Sequence, residues 1–333
     1  MTQKRFAAGT DRRKVVLAIM AAAGAAMLPF GVAAQGISKR PIRFLLAQTP
    51  GTVVDLIARL IALRLRARWD QPVVVENRPG ASGAIGMELL AQSEPDGHTM
   101  NVNVATTLTL PLFYPKLTFD VLKSFTPITF VGSSNFALVA HSVVPVNNLN
   151  EFIAYAKARP GQLNYGSPGI GTHHHLMMEM LKLMTGIDVV HVPYKGSAGA
   201  TTDLLAGQIP TMFIPTNLAI GMQKRGNVKI LGGSGRERHP LFPDIPSLHE
   251  QGVTGFDVDP WYAFWGPAGL PADIVAKYNA TLRDILNEPE TRDALGKQGV
   301  LVKPGSPEEL SRIAGNEYDM WAKLVKEAKI GAD

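Results

Sequence analysis

The sequence predicts an α/β protein of two lobes, each a mostly parallel sheet flanked by helices, with a ligand cleft between them. Three observations predict it. Apolar strands and amphipathic helices alternate through both halves of the chain, the pattern of a parallel sheet covered on both faces. Two strands follow one another directly near residues 127–140, where the chain crosses to a second unit, and "WYAFWGPAGLP" at 261–271 reads as the return crossing. Finally, about 300 residues remain after an export signal, enough for two cores where a single core stops growing. The division expected is 1–34 signal, 35–136 first lobe, 137–260 second lobe, and 261–333 return to the first lobe with C-terminal helices.

The first lobe opens with a strand at Ile42 to Ala47, the loop Gln48-Thr49-Pro50-Gly51-Thr52, and a helix from Val53 to Trp69. In that helix Leu56, Leu60, Leu63 and Ile57, Ile61 recur at helical spacing, while Arg59, Arg64, Arg66 and Arg68 are placed to face water. A β-branched run at Val73 to Glu76 is the next strand, then "NRPGASGAIG" leads into a helix through Leu90, and Asp96-Gly97 turns into a strand near Thr99 to Val104. In the second half Asn148 caps a helix through Ala158, and Leu163 to Tyr165 is a short strand. A helix follows from His173 to Thr185, stopped by Gly186. Then come strands at Val189–Val192, Thr211–Ile214 and Val228–Leu231, with a helix over Ala198–Ala206. C-terminal helices are expected near Ala272–Asn287, Glu290–Gln298 and Pro307–Ala328.

Residues 1 to 34 have the form of an export signal. Lys4, Arg5, Arg12, Arg13 and Lys14 precede an apolar run from Val15 to Phe30, and Val32-Ala33-Ala34 suits a signal peptidase cutting before Gln35. The run is short of the roughly 20 apolar residues of a membrane span. Arg12-Arg13 is a loose match to a twin-arginine signal, so the export route stays open. This segment holds five of the 33 basic and one of the 28 acidic residues, which leaves 28 and 27 and a net charge of +1. A nearly neutral chain without a long basic run has no electrostatic footprint for nucleic acid. The chain has no cysteine, which excludes disulfides, thiolate metal sites and a cysteine nucleophile.

The chemistry concentrates in "GSPGIGTHHHLMME", residues 166 to 179. Leu176, Met177, Met180, Leu181 and Met184 make an apolar stripe, so the methionines belong to the core. Thr172 is the natural N-cap, which sets His173, His174 and His175 in the first turn beside amides that lack helical acceptors. Three consecutive histidines fan about 100° apart and do not converge on one ion from an unbroken helix. Only His175 and Glu179 share i,i+4 spacing, short of the three or four ligands of a zinc site. The chain holds no GxSxG, HExxH or P-loop signature, and G-x-x-G-x-G at 166–171 is not dinucleotide spacing. No cofactor is expected. What remains is strand, glycine loop and helix N-terminus, an anion-binding geometry with backbone amides, Ser167 and Thr172 as donors. Gln48 to Thr52 repeats it in the other lobe, so that two facing loops would grip a ligand as the lobes close.

Four stretches follow a family pattern in order along nearly the whole mature chain: "KRPIRFLLAQTPGTVVDLIARLIA", "QPVVVENRPGASGAIGMELLAQSEPDGHT", "LNYGSPGIGTHHHLMMEMLKLMTGIDVVHVPYKGSAGATTDLLAGQI" and "FPDIPSLHEQG". The chain thereby resembles the Bug family, the periplasmic substrate-binding receptors of tripartite tricarboxylate transporters. The resemblance implies a type II periplasmic binding fold that closes on small carboxylates, with ordered waters between ligand and loops, and delivery to integral membrane permease subunits by a monomer. Carried over by position, it implies ligand contacts at Gln48, Gly51 and Thr52 in the first lobe. In the second it implies Ser167, Gly169, Gly171 and Thr172, with Asp203 and Asn217 near the pocket and His175 supporting the loop. The family usually has a second glycine at the place of Thr52 and small residues at those of His173 and His174. His173 is therefore expected to reach the pocket and hold a second acidic or aromatic end of the ligand. A dicarboxylate, aromatic like a phthalate isomer or aliphatic, suits two facing anion loops.

Two other functions compete. A sensor would pass the same closed form to a signalling ectodomain. A periplasmic hydrolase or isomerase would use His173 or His174 as base, and lacks an assignable nucleophile or acid partner. Trp261 and Trp265, near the crossing, are expected to pack.

Overall fold

The computed structural model describes residues 37–331, and the export-signal reading of residues 1–34 lies outside them. The described chain opens with β1 (Ile42–Leu46), α1 (Val53–Trp69), β2 (Val73–Asn77), α2 (Ala84–Ala91) and β3 (Thr99–Val104). A 3-10 turn at Ala105–Thr109, α3 (Leu110–Phe113) and β4 (Phe125–Ser134) follow. The second lobe is β5 (Phe136–His141), α4 (Leu149–Lys157), β6 (Leu163–Ser167), α5 (His173–Thr185), β7 (Val189–Pro193), α6 (Ser197–Leu205), β8 (Thr211–Pro215), α7 (Thr216–Lys224) and β9 (Val228–Gly233). The return comprises β10 (Trp261–Pro267), α8 (Ala272–Asn287), α9 (Pro289–Gly296), β11 (Val300–Val302) and α10 (Pro307–Glu327).

Two sheets result, a six-stranded one in the order β11-β4-β10-β3-β1-β2 and a five-stranded one in the order β7-β6-β8-β5-β9. Both are mixed where the sequence predicts mostly parallel sheets. β1 pairs parallel with β2 and β3, and β6 with β7 and β8. The strands that carry the chain into or out of a lobe, β5 and β10, run antiparallel to both their neighbours. Helical crossovers produce the parallel pairs, whereas a strand arriving from the other sheet enters its lobe in the opposite sense.

Each sheet is covered on both faces, and strands such as β1 (IRFLL) and β5 (FALVAH) accordingly read as nearly continuous apolar runs. Ile42, Phe44 and Leu46 pack with α1 and α8 on one face of the first sheet, while Leu45 turns to α2 and the 3-10 turn on the other. In the second sheet Leu138 and Ala140 join the cluster under α4 and α5, and Ala137 and Val139 join that under α6 and α7. On α1 the buried apolar residues are Val54, Ile57, Ala58, Ile61, Ala62 and Leu65. Leu56 and Leu63 face out, Leu63 at 65% exposure, because the i, i+3, i+4, i+7 run from Val54 is the one that meets the sheet. Gly86 permits the approach of α2 to β1, since a Cβ there would lie 2.7 Å from the Cα of Ala47.

Three segments join the lobes. The first is Asn135, between β4 and β5, and the second is the stretch from Ser234 to Pro260, whose last residue accepts from the Ser134 amide at 2.7 Å. Asn135 Nδ2 donates to Asp259 Oδ1 (2.9 Å) and Ser234 Oγ donates to the same oxygen (3.1 Å), so the two crossings are bonded together. The third is α10. Leu310 and Ala314 sit in a core of the first lobe, and Trp321 and Leu324 sit in the main core of the second. Its 21 residues span roughly 30 Å at 1.5 Å per residue.

Candidate functional site

A cleft of about 830 Å³ lies between the lobes, lined from the first by Gln48, Thr49, Thr52, residues 79–83, Thr106 and Tyr114 and from the second by Pro168, Gly169, Ile170, Thr172, His174 and residues 193–197. Four helices begin at its wall. Thr52 caps α1 and Gly83 precedes α2; Thr172 and Gly196 hold the same places before α5 and α6. The first-turn amides of a helix lack intrahelical acceptors and carry the positive end of its dipole, so each start favours an anion. Lys195 is the charged residue in the lining, which contains no carboxylate. Ala81 and Ser82 add φ values of 46° and 54° between Gly80 and Gly83, and turns of this kind aim successive amides into a concave surface.

A buried polar cluster supports the first loop. Asp55 Oδ2 accepts from the Gly51 amide at 3.0 Å, and Asp55 Oδ1 accepts from Asn77 Nδ2 at 3.0 Å. Arg59 closes the cluster with two bonds of 2.9 Å to the Asp55 carboxylate. Burial raises the Asp55 pKa, but the bonds from Arg59, Gly51 and Asn77 outweigh it and hold the carboxyl below the usual aspartate range. Asn77 Nδ2 also donates to the Gln48 carbonyl (3.0 Å). Thr52-x-x-Asp55 with Asp55-x-x-x-Arg59 is the sequence signal for this cluster, a cap followed by an i,i+4 pair.

The second loop is held in the same manner. Ser167 is fully buried; its Oγ lies 2.6 Å from His191 Nε2 and accepts from the Gly169 amide at 3.1 Å. Thr172 occupies the N-cap position without a side-chain capping bond, and its hydroxyl donates to the Gly169 carbonyl at 2.7 Å. The Gly171 amide donates to His175 Nδ1 (3.1 Å), and the His175 ring stacks on His191 at 4.1 Å between centroids. Burial, then His191 and Lys182, press the His175 pKa down to about 3, which keeps the nitrogen free to accept. Glu179 faces the Tyr165 hydroxyl and Lys182, at 2.5 and 2.9 Å, and among the described residues no group of three His, Asp or Glu side chains is arranged to hold a metal.

His173 is 2% exposed and does not line the cleft. Its Nε2 donates to Glu317 Oε1 on α10 at 3.0 Å and its Nδ1 lies 2.7 Å from Thr106 Oγ1. Trp321 Nε1 donates to Glu317 Oε1 (2.9 Å), and Trp261 Nε1 donates to Oε2. The first residue of α5 thus turns toward the junction of the lobes, and the next, His174, turns to the cleft, as the 100° step requires. The His174 ring meets Phe136 edge-on at 4.7 Å, and its Nδ1 is buried without a partner. Burial and then His173 lower its pKa to about 3, so the ring is neutral.

The chain matches the model of the tripartite tricarboxylate transporter family receptor over residues 57–330. The chain belongs to that family. Protein BugT of Bordetella pertussis is 30% identical to it over 298 residues, covering 89% of this chain and 91% of BugT. A structure described as R. palustris Rpa4515 with adipate is 30% identical, with a TM-score of 0.81, covering 88% of this chain and 98% of the other. MatC from Rhodopseudomonas palustris, with bound malate, is 29% identical at a TM-score of 0.75, covering 86% of this chain and 98% of MatC. This receptor family is one of Bug-type solute-binding proteins, with the two-lobed periplasmic binding fold.

Of the ten residues singled out from the sequence, the receptor's cleft brings together Gln48, Thr52, Gly169 and Thr172. Gly51, Ser167 and Gly171 lie within the two loops without lining it; their amides or hydroxyl are bonded internally. Asp203 stands behind the wall, where it accepts from the Tyr194 hydroxyl at 2.5 Å; burial, and then this bond, raises the Tyr194 pKa to about 12. Asn217, at the start of α7, is packed against Gly299 of the first lobe, whose Cβ position is 3.3 Å from its Cγ. The expected reach of His173 into the pocket is corrected by its bonds to Thr106 and Glu317. Residues that were not singled out are Ser82, Tyr114, Tyr194, Lys195 and Ser197. For all but Tyr114 the signal is in "NRPGASG" and "PYKGS", glycine-serine loops between strand and helix like those at 48–52 and 166–172.

Proposed function

We propose that the receptor captures a small organic carboxylate in this cleft by closure of the lobes and delivers it to a tripartite tricarboxylate-type membrane permease. The observation that carries the reading is the convergence of four helix N-termini on one cleft whose lining holds a lysine and no carboxylate. A dicarboxylate engages amides of both lobes at once, and a short monocarboxylate engages one. Tyr114 and Tyr194 offer faces for an aromatic acid such as a phthalate isomer. The adipate and malate complexes of relatives support the carboxylate class. Capture for a permease places the protein in the periplasm after removal of residues 1–34, working as a monomer that presents both lobes.

The test is a thermal-shift screen of residues 35–333 against mono-, di- and tricarboxylates, aliphatic and aromatic, with zinc and chelator controls. A carboxylate at about 100 times its dissociation constant adds roughly 2.7 kcal/mol to stability, which raises the midpoint by several degrees. A shift with zinc alone, or turnover of a bound acid seen by chromatography, would sink the reading.

A further inference from the structure

The inference rests on the carboxylate reading and names the cargo more closely. We propose that Gln48 selects cargo bearing a hydroxyl group beside its carboxylate, so that the receptor prefers a hydroxy acid to its unsubstituted parent. The orientation of the Gln48 amide follows from its neighbours. Val104 N–H has only a proton to give, and it donates to Asn103 Oδ1 at 2.9 Å. Thr107 Oγ1 spends its proton on the Val104 carbonyl (3.1 Å) and accepts from Asn103 Nδ2 (2.9 Å). Asn103, 1% exposed, is thereby locked from both ends with its oxygen toward Gln48. The Gln48 atom 2.8 Å from that oxygen must be the donor, Nε2. Oε1 is left as a buried acceptor with no partner, on a residue in the cleft wall.

A buried acceptor without a donor is disfavoured until one arrives. Three kinds of donor come with small acids: ammonium, amide N–H and hydroxyl. The cleft opposes the first, because helix N-termini and Lys195 make it positive and no carboxylate lines it to hold a cation. A hydroxyl is neutral, compact and able to accept from a backbone amide while it donates to Oε1. The Asn77 bond to the Gln48 carbonyl holds this backbone in register before the ligand enters.

The test is calorimetric titration of wild type and Gln48→Met with pairs differing by one hydroxyl: 2-hydroxybutanedioate against butanedioate, and the three hydroxybenzoates against benzoate. Wild type is expected to bind at least one hydroxy acid ten to a hundred times more tightly than its parent. Gln48→Met is expected to bring that ratio near one. Parents and hydroxy acids binding wild type equally would overturn the inference and leave the carboxylate reading intact, the buried acceptor then being served by water. A preference that survives in Gln48→Met would overturn the role of Gln48. If no carboxylate of either kind binds wild type, the carboxylate reading itself falls. The comparison within wild type stands whether or not the variant folds.

Discussion

His173 and His174 are chemically identical neighbours with different surroundings. His173 gives both ring nitrogens to groups outside α5 and helps to hold three elements together, whereas His174 keeps a nitrogen for the cleft. Replacing His173 with alanine removes a donor from Glu317, which retains two indole N–H groups. We expect a loss of roughly 1–3 kcal/mol, measured by urea denaturation. Unchanged stability with weakened carboxylate binding would return His173 to the ligand. Asp259 carries the second prediction at this scale. Burial raises its pKa to about 6, although the bonds from Asn135 and Ser234 pull the other way. A folded pKa above the unfolded value near 3.8 means that the native state binds the extra proton. Stability from this group is therefore complete below pH 4 and is lost as pH rises through 6. Midpoints measured from pH 4 to 7 should fall across this window in wild type, and the fall should shrink in Asp259→Asn.

At the scale of elements, α5 has the bounds the sequence predicts, but of its expected stripe Met180 is half-buried and Met184 is 39% exposed. Thr172 marks its start, Gly186 in the left-handed conformation marks its stop, and Leu176, Met177 and Leu181 fill its buried face. α1 has the bounds the sequence predicts, yet Leu56 and Leu63 of its expected stripe face out, because leucines occur on both sides of the helix and periodicity alone does not say which side meets a sheet. α7 and β11 were not foreseen. α7 follows β8 with no intervening loop and with Pro215 in place of a capping side chain, and β11 has three residues, too few for a pattern. The commitments of Ser167 and Thr172 within their loop were likewise invisible, since a hydroxyl can serve a ligand or its own backbone and the sequence is the same for both. Gly171 shows how tightly this loop is built. Its φ is +78°, and an added Cβ would lie 2.6 Å from the Phe113 ring of the first lobe. Gly171→Ala should cost about 1–3 kcal/mol and loosen the contact between α3 and α5. Hydrogen exchange at residues 105–113 would report it, and protection equal to wild type would refute it.

For the whole molecule, two lobes and two crossings were readable because crossing strands interrupt the alternation of strand and helix. The mixed sheets were not, since the direction in which a crossing strand enters is decided by topology rather than by its residues. Nor was the span of α10 across both lobes. Its pattern reveals one apolar face, and what differs is the owner of the surface that each part of that face meets. Trp321 is fully buried in the second lobe, and Trp321→Ala should lower the unfolding free energy by about 3–5 kcal/mol. A single urea transition with a lowered midpoint is expected. A loss below 1 kcal/mol would mean that α10 does not hold the lobes.

A helix seated in both cores cannot lengthen, and this limits the paths by which the cleft can gape. The lobes either swing about α10 as an axle, with no apolar surface exposed, or pull Trp321 and Leu324 from their seats at a cost of about 1.5–3 kcal/mol per side chain. The cheaper path leaves distances beside the axle unchanged and lengthens those across the mouth. In a chain without a native thiol, one pair of engineered labels near Glu317 and another spanning Ser82 and Lys195 would serve as the fixed and moving arms of a spectroscopic ruler.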